Sequence, residues 1–130
     1  MNRPVAWLRS LLALLLPVPP FAQTCSLLGD DETKDGVVIA PGGDLDELLE
    51  VAASLGLTLR EIWLTHAHID HAGGTGELAR RLQLPIAGPH RGDQFWIDAL
   101  PQQSRMFGFP EAEGFTPTRW LGDGGTVTLG

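Results

Sequence analysis

Three of the chain's four histidines fall within six residues, beside a carboxylate: His66, His68, Asp70 and His71. Imidazole nitrogen and carboxylate oxygen are ligand types that Zn²⁺ takes at about 2.0–2.2 Å. The chemistry this cluster indicates is metal binding. His66 and His68 lie two apart and point to the same side of an extended backbone. Asp70 and His71 follow where the chain turns toward a helix, so they can face a different ion. Gly73 and Gly74 leave room for close backbone approach and special dihedrals. The bland alternative is a histidine-rich surface loop. Four ligand types behind a strand and ahead of a glycine pair favour the metal site. His90, isolated in Gly88-Pro89-His90, has no such context and reads as an ordinary surface histidine.

A strand must deliver this cluster, and residues 61–65 (Glu-Ile-Trp-Leu-Thr) read as one, with Ile62 and Leu64 as buried anchors. Upstream, the apolar run Leu11–Val18 allows two readings. With Arg3 and Arg9 before it, the run resembles an export signal, and it is too short to span a bilayer, which needs about 20 residues. Alternatively it is a buried strand, followed by a proline-bounded turn and a second strand near residues 24–28. The polar stretch 30–36 ends in Asp35-Gly36, a turn signal, and separates apolar 25–28 from apolar 37–40, which predicts a β-hairpin. Pro41-Gly42-Gly43 ends that strand. Asp44, with Glu47 three residues on, forms a capping box for a helix carrying Leu45, Leu48, Leu49, Ala52 and Leu55, closed by Gly56. Beyond the histidines, 76–82 reads as helix and 85–88 as a short strand. Residues 93–104 read as a helix interrupted by Pro101, 107–117 as loop, and 120–129 as strand, turn and strand. The order is an α/β pattern.

Composition narrows the function. The 130 residues suffice for one domain, and 43% apolar content supplies a core. A net charge of −7, with eight Arg, one Lys and no basic cluster, argues against nucleic acid as a partner. Cys25 is the single cysteine, which excludes an internal disulfide, and its apolar surroundings suit a core residue better than a nucleophile. Trp63 and Trp96 likewise read as core. Gly42-Gly43 lacks the spacing and lysine of a phosphate-binding loop. A cytoplasmic location follows from the strand reading of Leu11–Val18, and secretion from the signal reading.

Thr65-His66-Ala67-His68-Ile69-Asp70-His71 resembles the T-H-x-H-x-D-H motif of the metallo-β-lactamase superfamily, and its threonine start resembles the hydroxyacylglutathione hydrolase (glyoxalase II) branch. The similarity extends over residues 20–28, over Pro41-Gly42-Gly43-Asp44 and over residues 103–108, resembling short bacterial glyoxalase II-like hydrolases from about Leu11 onward. The resemblance implies that Leu11–Val18 is the opening strand of an α/β, metallo-β-lactamase-like αβ/βα sandwich. It also implies that residues 1–130 make up only the N-terminal portion of that domain, with 1–10 open to disorder. His66 and His68 would bind one metal, Asp70 and His71 a second: Zn²⁺, with Fe or Mn as alternatives. The implied reaction is hydrolysis of a small-molecule thioester such as S-2-hydroxyacylglutathione, by attack of metal-bound hydroxide on the carbonyl. Asp70 would be the catalytic carboxylate that orients it. Relatives complete two sites with further ligands, and four ligands cannot close two. Relatives also commonly carry an aspartate where this chain has Ala40. A non-catalytic remnant with half a metal site, or an iron enzyme of the persulfide dioxygenase type, are therefore the alternatives. No membrane span is expected, and the oligomeric state is open.

Overall fold

The computed structural model of the chain describes residues 11–18, 23–42, 45–67, 72–108, 112, 114–122, 124–127 and 129. The expected disorder of residues 1–10, the proline-bounded turn and the Asp44 cap lie outside them. Five strands form one sheet in chain order. β1 (Leu11–Val18) is the strand expected of the first apolar run. It pairs antiparallel with β2 (Gln23–Asp30) over its whole length, from Leu11 opposite Asp30 to Val18 opposite Gln23. β2 in turn pairs antiparallel with β3 (Asp35–Ile39), giving the expected hairpin.

The hairpin turns earlier than its Asp-Gly pair suggests. Asp35 and Gly36 already belong to β3, with Gly36 opposite Gly29. The turn is built instead by the Asp30 carboxylate, which accepts from the amides of Glu32 and Thr33, and by Lys34, which adopts φ 62° and donates its amide to the Asp30 carbonyl. A carboxylate bonding amides two and three residues on is the Asx type of turn, which competes directly with a two-residue loop.

From β3 onward the sheet is parallel, and each step needs a crossover. α1 (Leu45–Ser54) joins β3 to β4 (Thr58–Trp63), and α2 (Thr75–Leu82) joins β4 to β5 (Ile86–Ala87). α1 buries Leu45, Leu48 and Ala52, the predicted stripe, and Gly56 just beyond it takes the expected positive φ of 70°. β4 begins and ends before the predicted strand. It opens at Thr58, where the Thr58 amide bonds the Lys34 carbonyl, and Leu64 and Thr65 fall past its end. Both faces are covered at β3 and β5, since adjacent Val37 and Val38 are both buried, as are adjacent Ile86 and Ala87. One core joins Cys25, Leu27, Val38, Leu48, Ile62 and Ile97 across strands and helices.

The predicted interrupted helix is two helices, α3 (Gln94–Asp98) and α4 (Leu100–Phe107), which break at Ala99 with Pro101 in the first turn of α4. Proline fits there because the first helical amides have no intrahelical partner. α4 runs to Phe107, into the stretch read as loop. A 3₁₀ turn, Arg91–Asp93, precedes α3. The expected strand, turn and strand over 120–129 reduces to its turn. Gly125 donates to the Gly122 carbonyl and Gly124 has φ 78°, but none of the described residues there is in a strand. Only Arg119 bridges β5, at Ala87. β5 is two residues long and its next amides and carbonyls already bond this segment, with Gly88 donating to Arg119 and Leu121 to Pro89.

Candidate metal centre

The three parallel strands β3, β4 and β5 end on one edge of the sheet, and their outgoing loops lie side by side. In parallel sheets ligands bind outside the carboxyl ends of the strands, where neighbouring loops diverge. β3 ends at Ile39 and passes into Ala40-Pro41-Gly42, β4 into Leu64-Thr65-His66-Ala67, and β5 into Gly88-Pro89-His90. Main-chain hydrogen bonds tie these exits together. The Ala40 amide donates to the Trp63 carbonyl at 3.0 Å and the Leu64 amide to the Ala87 carbonyl at 3.0 Å. On the far side of the histidine segment, the Gly74 amide donates to the Pro41 carbonyl at 2.8 Å. The loop holding the candidate ligands is therefore anchored at its entry and at its exit.

His66 is half-buried at the end of β4, between exposed Thr65 and fully buried Ala67. Its Nδ1 lies 3.0 Å from the Thr65 hydroxyl. His68, Asp70 and His71 lie outside the described residues. Among the described residues no group of three or more His, Cys, Asp or Glu is placed to hold a metal, so the candidate donor set is the 66–71 segment itself. Its chemistry, three imidazoles and one carboxylate, fits a divalent ion of the zinc, iron or manganese type. His90, read as a surface histidine, is exposed and has a local task. It stands at the N-terminus of the 3₁₀ turn, where its Nδ1 accepts from the Gly92 amide at 3.0 Å.

Two residues around the cluster carry information that spacing did not. Ala40 is buried and adopts φ 57°, the left-handed region that disfavours residues with a Cβ. Asp and Asn tolerate that region, which fits the resemblance's expectation of an aspartate there. The methyl group of Ala40 offers no hydrogen bond to its surroundings. Asp93 was read only as the start of a helix. Its carboxylate accepts the Ala67 amide at 3.1 Å, reaching 26 residues back along the chain. The sequence signal is faint: an aspartate ahead of Phe95-Trp96-Ile97 looks like a helix cap.

A mixed sheet with helical crossovers between its parallel strands, and the histidine-led sequence 66–71 following β4, make this an α/β fold of the metallo-beta-lactamase kind. The chain belongs to the metallo-beta-lactamase superfamily, whose family model matches residues 18–130. Within it, the chain is 37% identical over 113 residues to hydroxyacylglutathione hydrolase GloC of Haemophilus influenzae, covering 87% of this chain and 53% of that protein. The BLEG-1 B3 metallo-beta-lactamase superposes with a TM-score of 0.77 at 27% identity, over 92% of this chain and 57% of the other. TTHA1623 in a di-iron-bound form superposes with the same TM-score of 0.77 at 28% identity, over 88% and 56%. The chain thus spans about half the length of these relatives. No helix among the described residues is long and apolar enough to cross a membrane.

Proposed function

We propose that the 66–71 segment supplies metal ligands to a thioester hydrolase of the glyoxalase II kind, acting on a small molecule such as an S-2-hydroxyacylglutathione. The reading rests above all on one arrangement: a donor sequence led by His66, past the carboxyl end of the parallel strand β4 and anchored on both sides by main-chain hydrogen bonds. The hydroxyacylglutathione hydrolase homologue at 37% identity supports the substrate class. His66 and His68 would hold one ion, Asp70 and His71 a second. A divalent metal bound there supplies Lewis acidity and lowers the pKa of water.

The chain's own residues do the rest. Thr65 fixes the His66 ring through Nδ1. The tautomer that donates from Nδ1 to the Thr65 hydroxyl leaves the other ring nitrogen with the lone pair a metal takes. Asp70 orients the attacking water through its carboxylate and can hold a proton during turnover. The leaving group is a thiolate, so the site needs no strong general acid.

The test is metal content by elemental analysis of the purified chain, with Asp70→Ala as the control, followed by hydrolysis of S-lactoylglutathione. Metal bound by the wild type and lost in Asp70→Ala is the expected result, with any turnover falling to the level of buffer plus metal. Equal metal content in both proteins sinks the assignment. The likeness to ETHE1 from Myxococcus xanthus, with a TM-score of 0.56 at 31% identity over 62% of this chain, favours a second reading, a mononuclear iron enzyme of the persulfide dioxygenase type. Iron in the purified chain with oxygen uptake on glutathione persulfide would replace the hydrolase by that enzyme.

A further inference from the structure

We propose that Asp93 is a positioning residue for the metal loop: its carboxylate clasps the Ala67 amide and so fixes the backbone between His66 and His68. The inference rests on the reading above that these two histidines are ligands, and it adds a residue from a different element. The cap of this helical stretch is His90, whose extended backbone precedes the 3₁₀ turn and whose ring takes the Gly92 amide. Asp93 stands further in, where the 3₁₀ turn passes into α3, and makes no cap bond there. Its Oδ2 takes the Ala67 amide at 3.1 Å, a contact across the fold to a residue 26 positions earlier.

The clasp is itself rigidly mounted. The Asp93 amide donates to the His90 carbonyl at 2.9 Å, and the Gly92 amide to the His90 ring, which closes the 3₁₀ turn. The connection from β5 into that turn is held by Gly88 donating to the Arg119 carbonyl at 2.8 Å and by Leu121 donating to the Pro89 carbonyl at 3.0 Å. The Arg91 guanidinium lies over the Trp120 ring, 5.3 Å from its centroid. On the other side Ala67 is fully buried. Its amide has no access to water, so losing Asp93 would leave a buried donor unsatisfied or force the loop to move. Movement of Ala67 carries the Cα atoms of both flanking histidines with it. Residues that orient metal ligands without touching the metal typically matter by about 10–100-fold in affinity.

The experiment reads two quantities on the full chain: amide exchange at Ala67 without metal, and zinc affinity by competition with a chromophoric chelator. Wild type, Asp93→Ala, Asp93→Asn and His68→Ala are compared, with the Ile62 amide, bonded to the Pro85 carbonyl, as the reporter of global stability. In Asp93→Ala, exchange at Ala67 should accelerate at least about tenfold while Ile62 stays unchanged, and zinc should bind about 10–100-fold more weakly. Asp93→Asn keeps a carbonyl oxygen as acceptor and should restore both to within about threefold, because the bond is then neutral rather than charge-assisted. Unchanged exchange at Ala67, acceleration of Ile62 in step with it, or unchanged zinc affinity overturns the proposal. If neither the wild type nor His68→Ala takes up zinc, the metal reading falls instead, and exchange at Ala67 still decides whether the clasp exists.

Discussion

Single residues here divide into those whose chemistry is visible in their type and those whose role depends on contacts made far along the chain. His66, His68, Asp70 and His71 belong to the first group, because ligand chemistry is a property of side chains and their spacing. Asp93 and Ala40 belong to the second. Nothing in His90-Arg91-Gly92-Asp93 announces a bond to Ala67, and the left-handed conformation of Ala40 is set by the turn from β3 to Pro41. Cys25 was legible as a core residue, and burial has a measurable consequence for it. It pushes the thiol from 9.0 up to about 12. Between those values the unfolded chain has lost the proton that the folded chain keeps. The thiol therefore leaves stability unaffected below the unfolded value and lowers it as pH rises above about 9, by about 1.4 kcal/mol per pH unit. The chain has no tyrosine and one lysine, so little else titrates in that window. Urea unfolding of wild type and Cys25→Ala at about pH 8 and about pH 10 checks this, since the wild type should lose stability that the variant does not. Parallel slopes in the two proteins would mean that the thiol ionises as easily folded as unfolded.

At the scale of elements, the existence and type of most helices and strands followed from pattern, while their limits followed from neighbours. α1 was readable because its apolar stripe and closing glycine are both local. β4 spans 58–63 where the pattern predicts 61–65, because pairing with β3 and the Thr58–Lys34 bond set its start. Where a strand was expected to open at Trp120, residues 118–121 do run along β5 and its exit, but through one bridge and main-chain bonds at Thr118, Arg119 and Leu121. Gly88 shows how tightly the same region is built. It combines φ 83° with a position where any Cβ would collide with the Leu64 backbone carbonyl. Gly108 also has positive φ, at 73°, but nothing lies within 4 Å of its added Cβ. Gly88→Ala should therefore cost at least about 2 kcal/mol, the dihedral strain plus displacement of the β4 exit, and Gly108→Ala about 1 kcal/mol, the strain alone. Chemical denaturation of the two variants compares them directly. Equal costs would mean that the Leu64 exit yields freely, contrary to its bond with Ala87.

For the molecule as a whole, the α/β order was legible along the chain, and the structure puts His66 past the carboxyl end of β4, the edge where parallel strands release their loops. How the helical arm after β5 joins the sheet was not legible, because α3 and α4 are short and their pattern names no partner. The structure gives two apolar clusters. The large one runs from Cys25 to Ile97, and a small one consists of Leu100 and Ala112. Phe115, half-buried, packs against both and is their shared side chain. Polar contacts reinforce the small cluster locally, with the Ala112 amide donating to the Ser104 hydroxyl at 3.2 Å and the Gln103 side chain to the Trp96 carbonyl at 3.1 Å. These contacts hold the arm together without fastening it to the sheet. Fully buried Phe-to-Ala changes cost about 3–5 kcal/mol, and a half-buried ring should cost less, about 1–3 kcal/mol. In Phe115→Ala that loss should fall on α4: the Gln103 amide, bonded to Ala99, should exchange at least about fivefold faster. The Ile62 amide in β4 should keep its wild-type protection up to the global limit. Equal acceleration at both amides would show arm and sheet to be one cooperative unit, with Phe115 merely one of its core contacts. Selective acceleration of Gln103 would show that Phe115 seats α4, while Ile97 of α3 and the Asp93–Ala67 bond keep the start of the arm on the sheet.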